Sequence, residues 1–192
     1  MRRVVTSACI AWIVMWFAVT PVMAETASMA SGSLPPWHFH MTPDEVKSFK
    51  DYGPYKSLPD GSLTTHSAVF NGGIEYVEFA FQDGGLARMG VYLYYGTDIT
   101  AAAHAWGRSY TALKSLYGDV PLPSMTVYKT VSPPTEESVG EGGSKIVLAG
   151  GKSRIMPAHD PADAHVFSTF RSVVDKGETR YYVILYYEPP RS

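Results

Sequence analysis

Side chains that ligate, attack or carry protons set what a chain can do chemically, and here the histidines come first. His38 and His40 stand two apart in "PPWHFHMTPDEV" and share one face if that stretch is extended. His159 and His165 flank "DPADA", which adds Asp160 and Asp163. Imidazole and carboxylate both bind zinc, and a zinc site needs three or four such groups converging. His38, His40, His159 and His165 are therefore the candidate metal ligands, and zinc is the cofactor they imply. No fixed metal spacing such as H-E-x-x-H accompanies them. The competing reading makes them polar loop and edge residues, with Trp37 and Phe39 turned to the core beside His38 and His40. His66 and His104 stand alone, one on a strand and one on a helix.

Other catalytic patterns are missing. "GGKS", Gly150 to Ser153, ends like a phosphate loop, but the pattern needs glycine where Ile146 stands, and the segment reads as a hairpin. No G-x-S-x-G elbow offers a serine nucleophile. Asp44 with Glu45 is explained by the positive start of a helix, and Glu136 with Glu137 by a solvated loop. Glu75 and Glu78 fall on opposite faces of one strand and cannot act together. No cofactor is required by any of these residues, and no catalytic residue is assigned.

Tyrosine is the unusual feature, with 13 in the chain, many on strand-like segments such as "YLYY" and "RYYVILYYEPP". Tyrosine suits strands, so alternation alone accounts for much of this. Its rigid, amphipathic ring also suits recognition surfaces. In "IEYVEFAFQDGGLARMGVYLYY" the register can be derived. A three-residue loop, Asp83-Gly84-Gly85 with Gly85 left-handed, sets Gln82 opposite Leu86, Phe79 opposite Met89 and Val77 opposite Val91. Val77, Phe79, Phe81, Met89, Val91 and Leu93 then form a clean apolar face. A two-residue loop would set Phe79 opposite Arg88, which disfavours it. The other face carries Tyr76, Glu78, Arg88, Tyr92 and Tyr94, the candidate partner-binding residues, with Glu78 and Arg88 as a diagonal ion pair.

The elements that position these groups are readable around them. Thr42, Pro43 and Glu45 give an N-cap, a first-turn proline and a capping box, and Met41 with Val46 makes a hydrophobic staple. These signals start a short helix from Pro43 to about Tyr52, stopped by Gly53-Pro54. Asp98 or Thr97 caps a longer helix, Ile99 to Tyr117, whose apolar stripe runs through Ala102, Ala103, Trp106, Tyr110 and Leu113 to Gly118. Beyond it lie strand candidates in "MTVYKTV", "KIVLA", "KSRIM", "AHVFSTFRSVV" and "TRYYVILYYE". Hairpins are expected at Gly150-Gly151 and at "DKGE", with a loop through "SPPTEESVGEGGS". The fold class is α+β: antiparallel meanders with the helices at about 43–52 and 99–117 packed on one face. Residues 37–192 form one domain, within which the halves 37–97 and 98–192 share a helix-then-strands order.

Residues 1–24 read as a secretory signal: Arg2 and Arg3, then an apolar run, then Val22-Met23-Ala24 with cleavage after Ala24. Residues 25–36 read as a flexible leader. The expected location is the periplasm or the exterior, with no membrane span after signal cleavage. The lone Cys9 lies in the signal, so the remainder has no disulfide and no thiolate chemistry. Without Arg2 and Arg3 the chain has 14 basic residues against 18 acidic. With no basic patch, nucleic acid is excluded as a partner.

"HMTPDEV" after a signal peptide, with a strand meander beyond it, resembles small envelope domains of Gram-negative bacteria. It is similar in this respect to the SmpA/OmlA outer-membrane assembly family and to the β-lactamase-inhibitor-protein-like fold. The chain departs from both, lacking the lipid-bearing cysteine of the first and the cysteine pairs of the second. The resemblance implies binding rather than catalysis and transfers no residue roles. The reading is thus an exported, non-enzymatic module that binds another envelope or extracellular protein, of envelope-assembly, inhibitor or immunity type. The alternative is a metal-binding protein using the histidines.

Overall fold

The computed structural model describes residues 34, 36–70, 73–121 and 152–191. Its first helix, α1 (Pro43–Ser48), begins where the capping box places it. The Glu45 amide donates to Thr42 Oγ1 at 3.3 Å, and the Thr42 amide donates to Glu45 Oε2 at 2.7 Å. The helix is shorter than its pattern suggests: after Phe49 a 3₁₀ turn, Lys50–Tyr52, completes the segment. Val46, Trp37 and Leu34 are all buried, so the core reaches back into the segment read as a leader. Trp37 packs edge-on against Phe79 at 4.8 Å and Tyr52 at 4.9 Å.

Among the described residues the sheet has seven strands: β1 (Tyr55–Ser57), β2 (Leu63–Phe70), β3 (Gly73–Gln82), β4 (Gly85–Gly96), β5 (Lys152–Ile155), β6 (His165–Asp175) and β7 (Glu178–Glu188). All pairings are antiparallel, in the order β1-β2-β3-β4-β7-β6-β5. The strands of the two halves thus share one sheet, joined where β4 pairs with β7. Helix α2 (Ile99–Tyr117) lies between β4 and β5 in sequence. Asp98 caps it, its carboxylate accepting from the amides of Thr100 and Ala101. The buried Trp106 of α2 sits 6.0 Å from Phe170 of β6, placing the helix on the sheet face that carries Val77, Phe79, Val91, Val183 and Leu185. The expected α+β class, with an antiparallel sheet and a long helix at 99–117, is what the structure has.

The β3–β4 hairpin reaches the expected pairing by a different route. Phe79 opposes Met89 and Val77 opposes Val91, but the turn has two residues, with Gln82 opposite Gly85. Asp83 and Gly84 both have positive φ, 52° and 81°, which is the type I′ geometry that matches strand twist. The left-handed glycine is therefore Gly84, not Gly85. Ala80 pairs with Arg88 and Phe81 with Leu86, so Ala87 is an extra bulged residue. The bulge restores the register that the short turn would have shifted. The β6–β7 hairpin turns at Lys176 and Gly177 as "DKGE" suggests. "MTVYKTV", "KIVLA", the Gly150-Gly151 hairpin, the "SPPTEESVGEGGS" loop and the signal segment lie outside the described residues.

Candidate functional site

The sheet face turned away from α2, here the outer face, carries polar and aromatic side chains in rows set by the register. Tyr76 of β3 opposes Tyr92 of β4, which opposes Ile184 of β7, which opposes Thr169 of β6, which opposes Arg154 of β5. Glu78 opposes Gly90, then Tyr186, then Phe167. A second bulge, between Tyr92 and Tyr94, shifts the alternation along the rest of β4. Tyr94 pairs with Val183 and packs against the core, and its hydroxyl accepts from the Asp98 amide at 2.9 Å, at the cap of α2. Tyr95 takes the outer position instead, opposite Tyr182.

Of the five residues expected to face a partner, Tyr76, Glu78, Arg88 and Tyr92 share the outer face and Tyr94 does not. Uninterrupted alternation would have kept Tyr94 beside Tyr92, and one bulged residue turned it to the helix side. The Glu78–Arg88 ion pair does not form. Glu78 Oε2 accepts from the Tyr92 hydroxyl at 2.8 Å, while the Arg88 guanidinium lies over the Tyr186 ring at 5.6 Å. Glu75 instead meets Arg108 of α2 at 3.4 Å.

Two adjoining hollows share Tyr92. The first is aromatic, about 490 Å³, lined by His66, Glu75, Tyr76, Tyr92, Tyr95 and Tyr182. Its rings touch in sequence, His66 to Tyr76 at 4.7 Å, Tyr76 to Tyr92 at 4.9 Å and Tyr95 to Tyr182 at 4.9 Å. The second is polar, about 430 Å³, and holds three arginines, Arg88, Arg154 and Arg171, with Glu78 and Glu188. Tyr186 and Phe167 form its apolar wall, and Gly90, without a side chain, lies among them. Burial pushes the Tyr92 phenol far up, helped by its donation to Glu78 and by that carboxylate's charge. Burial also raises Tyr186, against the opposing pull of Arg171 and Arg88. Both phenols are therefore neutral donors at neutral pH.

The histidines have other engagements. His40 has a positive φ of 70°, and its amide donates to the Leu86 carbonyl at 2.9 Å, tying the segment before α1 to the start of β4. His38 and His159 are exposed. His165 is fully buried, with Nδ1 2.6 Å from Asp160 Oδ2. Among the described residues no group of three or more histidine, cysteine or carboxylate side chains comes together as a metal site. His66 joins the aromatic hollow.

Sequence reasoning did not find Tyr95, Tyr182, Tyr186, Phe167, Arg154 or Arg171 as site residues. Tyr182, Ile184 and Tyr186 alternate visibly in "RYYVILYYE", so their shared face was readable. Their partners were not, because β4 and β7 are far apart in sequence. No protein family, curated protein or solved structure matches this chain.

Proposed function

We propose that the chain is an exported, non-enzymatic module that binds another envelope or extracellular protein on the outer face of its sheet. The observation that carries this reading is the aromatic hollow of Tyr76, Tyr92, Tyr95, Tyr182 and His66. Rigid rings with polar tips bury large area at small entropic cost, and such rings dominate the energetics of protein contacts. Tyr95 is the most available of its tyrosines, 54% exposed, so a partner has surface to gain there. Export is supported by Arg2, Arg3, the apolar run and Val22-Met23-Ala24.

The test is native mass spectrometry of the protein taken from its host's envelope fraction, as wild type and as Tyr95→Ala. The expected result is a chain beginning at Glu25 that carries a second polypeptide, and loss of that polypeptide in the variant. A second polypeptide retained by Tyr95→Ala, or a bare wild-type chain, overturns the reading.

A further inference from the structure

The arginine-lined hollow beside the aromatic one has an unusual electrostatic arrangement. Three guanidiniums and two carboxylates line one space, yet among the described residues none of Arg88, Arg154 and Arg171 makes an ion pair or a hydrogen bond. Each is held by an aromatic ring instead. Arg154 lies 3.9 Å over Phe167, Arg171 4.8 Å over Tyr182 and Arg88 5.6 Å over Tyr186. Stacking fixes a guanidinium plane while leaving its N–H edge free to donate. Glu78, one of the two carboxylates there, has its Oε2 turned to the Tyr92 hydroxyl. Arg171 Nε is buried without a partner, as is Thr169 Oγ1, two residues before it on the same face of β6. Buried donors of this kind are costly unless something accepts from them. The Tyr186 hydroxyl, under the influence of Arg171, Arg88, Glu78 and Glu188 together, also has no hydrogen-bond partner among the described residues.

We infer that this hollow is a binding site for a carboxylate carried on an aromatic or apolar body. The carboxylate accepts from the Arg171 and Arg154 edges and from the Tyr186 hydroxyl, and the body crosses Tyr92 into the tyrosine hollow. Three arginines against two glutamates leave one net positive charge. That balance suits a monoanion and disfavours phosphate, whose second charge would face Glu188 and Glu78 without compensation. A planar carboxylate also matches the guanidinium fork. Gly90 makes the room: a Cβ there would stand 3.4 Å from the Tyr186 ring and 3.5 Å from Ile184. The inference goes beyond the partner-protein reading, since a free organic acid would fill the site as well as the acidic end of a polypeptide.

The experiment uses the purified protein and 3-phenylpropionate, with its neutral amide and inorganic phosphate as comparisons. The readout is the Nε–Hε resonance of Arg171 in a nitrogen-15 spectrum, with the Tyr186 backbone amide resonance followed in parallel for the wild type and every variant. A saturating shift with a Kd below about 1 mM is expected for the acid, and binding at least about tenfold weaker for the amide and for phosphate. Arg171→Lys keeps the charge but loses the buried Nε, and should weaken the acid about tenfold or more. Gly90→Ala meets its neighbours at ordinary contact distances, so it should keep the melting temperature while narrowing the site and weakening the acid. Equal binding of acid and amide overturns the inference, as does no shift up to about 10 mM or a preference for phosphate. N-acetyl-glycyl-phenylalanine then separates the sources. Tighter binding than 3-phenylpropionate supports a polypeptide end, and weaker binding supports a free acid.

Discussion

Tyr94 and Tyr95 are adjacent and chemically identical, yet the bulge in β4 gives them opposite roles. Tyr94 packs against the core and accepts the Asp98 amide at 2.9 Å, at the residue that caps α2. Removing its hydroxyl as Tyr94→Phe leaves that amide without its partner, a loss of about 1 kcal/mol. Tyr94→Ala adds the ring's burial, which is partial, so a further 1.5–2 kcal/mol or so is expected. The sum, roughly 3 kcal/mol, corresponds to a fall in melting temperature of about 6–12 °C for a domain of this size. Tyr95 is 54% exposed and touches mainly the Tyr182 ring and the Arg180 guanidinium. Tyr95→Ala should cost about 1 kcal/mol or less, the worth of one aromatic pair. The assay is thermal unfolding by circular dichroism of Tyr94→Phe, Tyr94→Ala and Tyr95→Ala beside the wild type. If Tyr95→Ala melts lower than Tyr94→Ala, the bulge is not where the register places it, and the outer face must be redrawn with Tyr94 in it.

Stability should fall in alkali. Burial raises the phenols of Tyr92, Tyr117 and Tyr187, Tyr117 to about 12. An unfolded tyrosine titrates near pH 10, so the folded state holds protons that the unfolded chain has lost. The stabilisation is complete below about pH 10 and is lost as pH rises through about 12. For Tyr117 alone the loss is at most about 3 kcal/mol, less after solvent screening. A melting temperature flat from pH 9.5 to 11.5, or tyrosinate absorbance rising in a single step near pH 10, refutes this. Separately, Asp160→Ala strips the buried His165 of its Nδ1 partner and should cost about 1–3 kcal/mol. Adding His165→Phe removes the stranded imidazole and should recover part of the loss; a double variant no more stable than the single would contradict that account.

How much could be read in advance depended on how local the determinants were. Thr42 and Glu45 satisfy each other three residues apart, and Asp98 caps the turn it begins, so both helix starts were legible. The apolar pairing of Phe79 with Met89 and Val77 with Val91 was legible too, because burial demands it. Its mechanism was not. Strand twist favours the two-residue turn at Asp83 and Gly84, burial favours the register of a longer one, and Ala87 reconciles them. A bulge is one residue without a sequence signal, and the same blindness hid the exchange of Tyr94 for Tyr95. The histidine reading shows a different limit. His165 looked like one ligand among four because Asp160 and His159 lie near it in sequence. What fixes its environment is burial on β6, next to Phe167, with one carboxylate at Nδ1.

Tyr92 is where the two hollows become one device. Its ring belongs to the aromatic cluster, through Tyr76 at 4.9 Å, and its hydroxyl engages Glu78, a wall residue of the arginine hollow. Without that hydrogen bond Glu78 would be a free carboxylate beside Arg88, and an internal ion pair would compete with any incoming acid. With it, one oxygen of Glu78 is turned to a phenol that burial keeps neutral, while the guanidiniums lie over Tyr186, Phe167 and Tyr182. The aromatic residues thus serve two ends with one set of side chains. They present contact area on the outer face, and they keep the arginines unpaired. A surface selected only for solubility would let Arg88 and Glu78 neutralise each other across neighbouring strands, as the spacing invites. The chain instead places Tyr92 where it intercepts the pair, which is the arrangement expected if the positive charge is kept for a ligand.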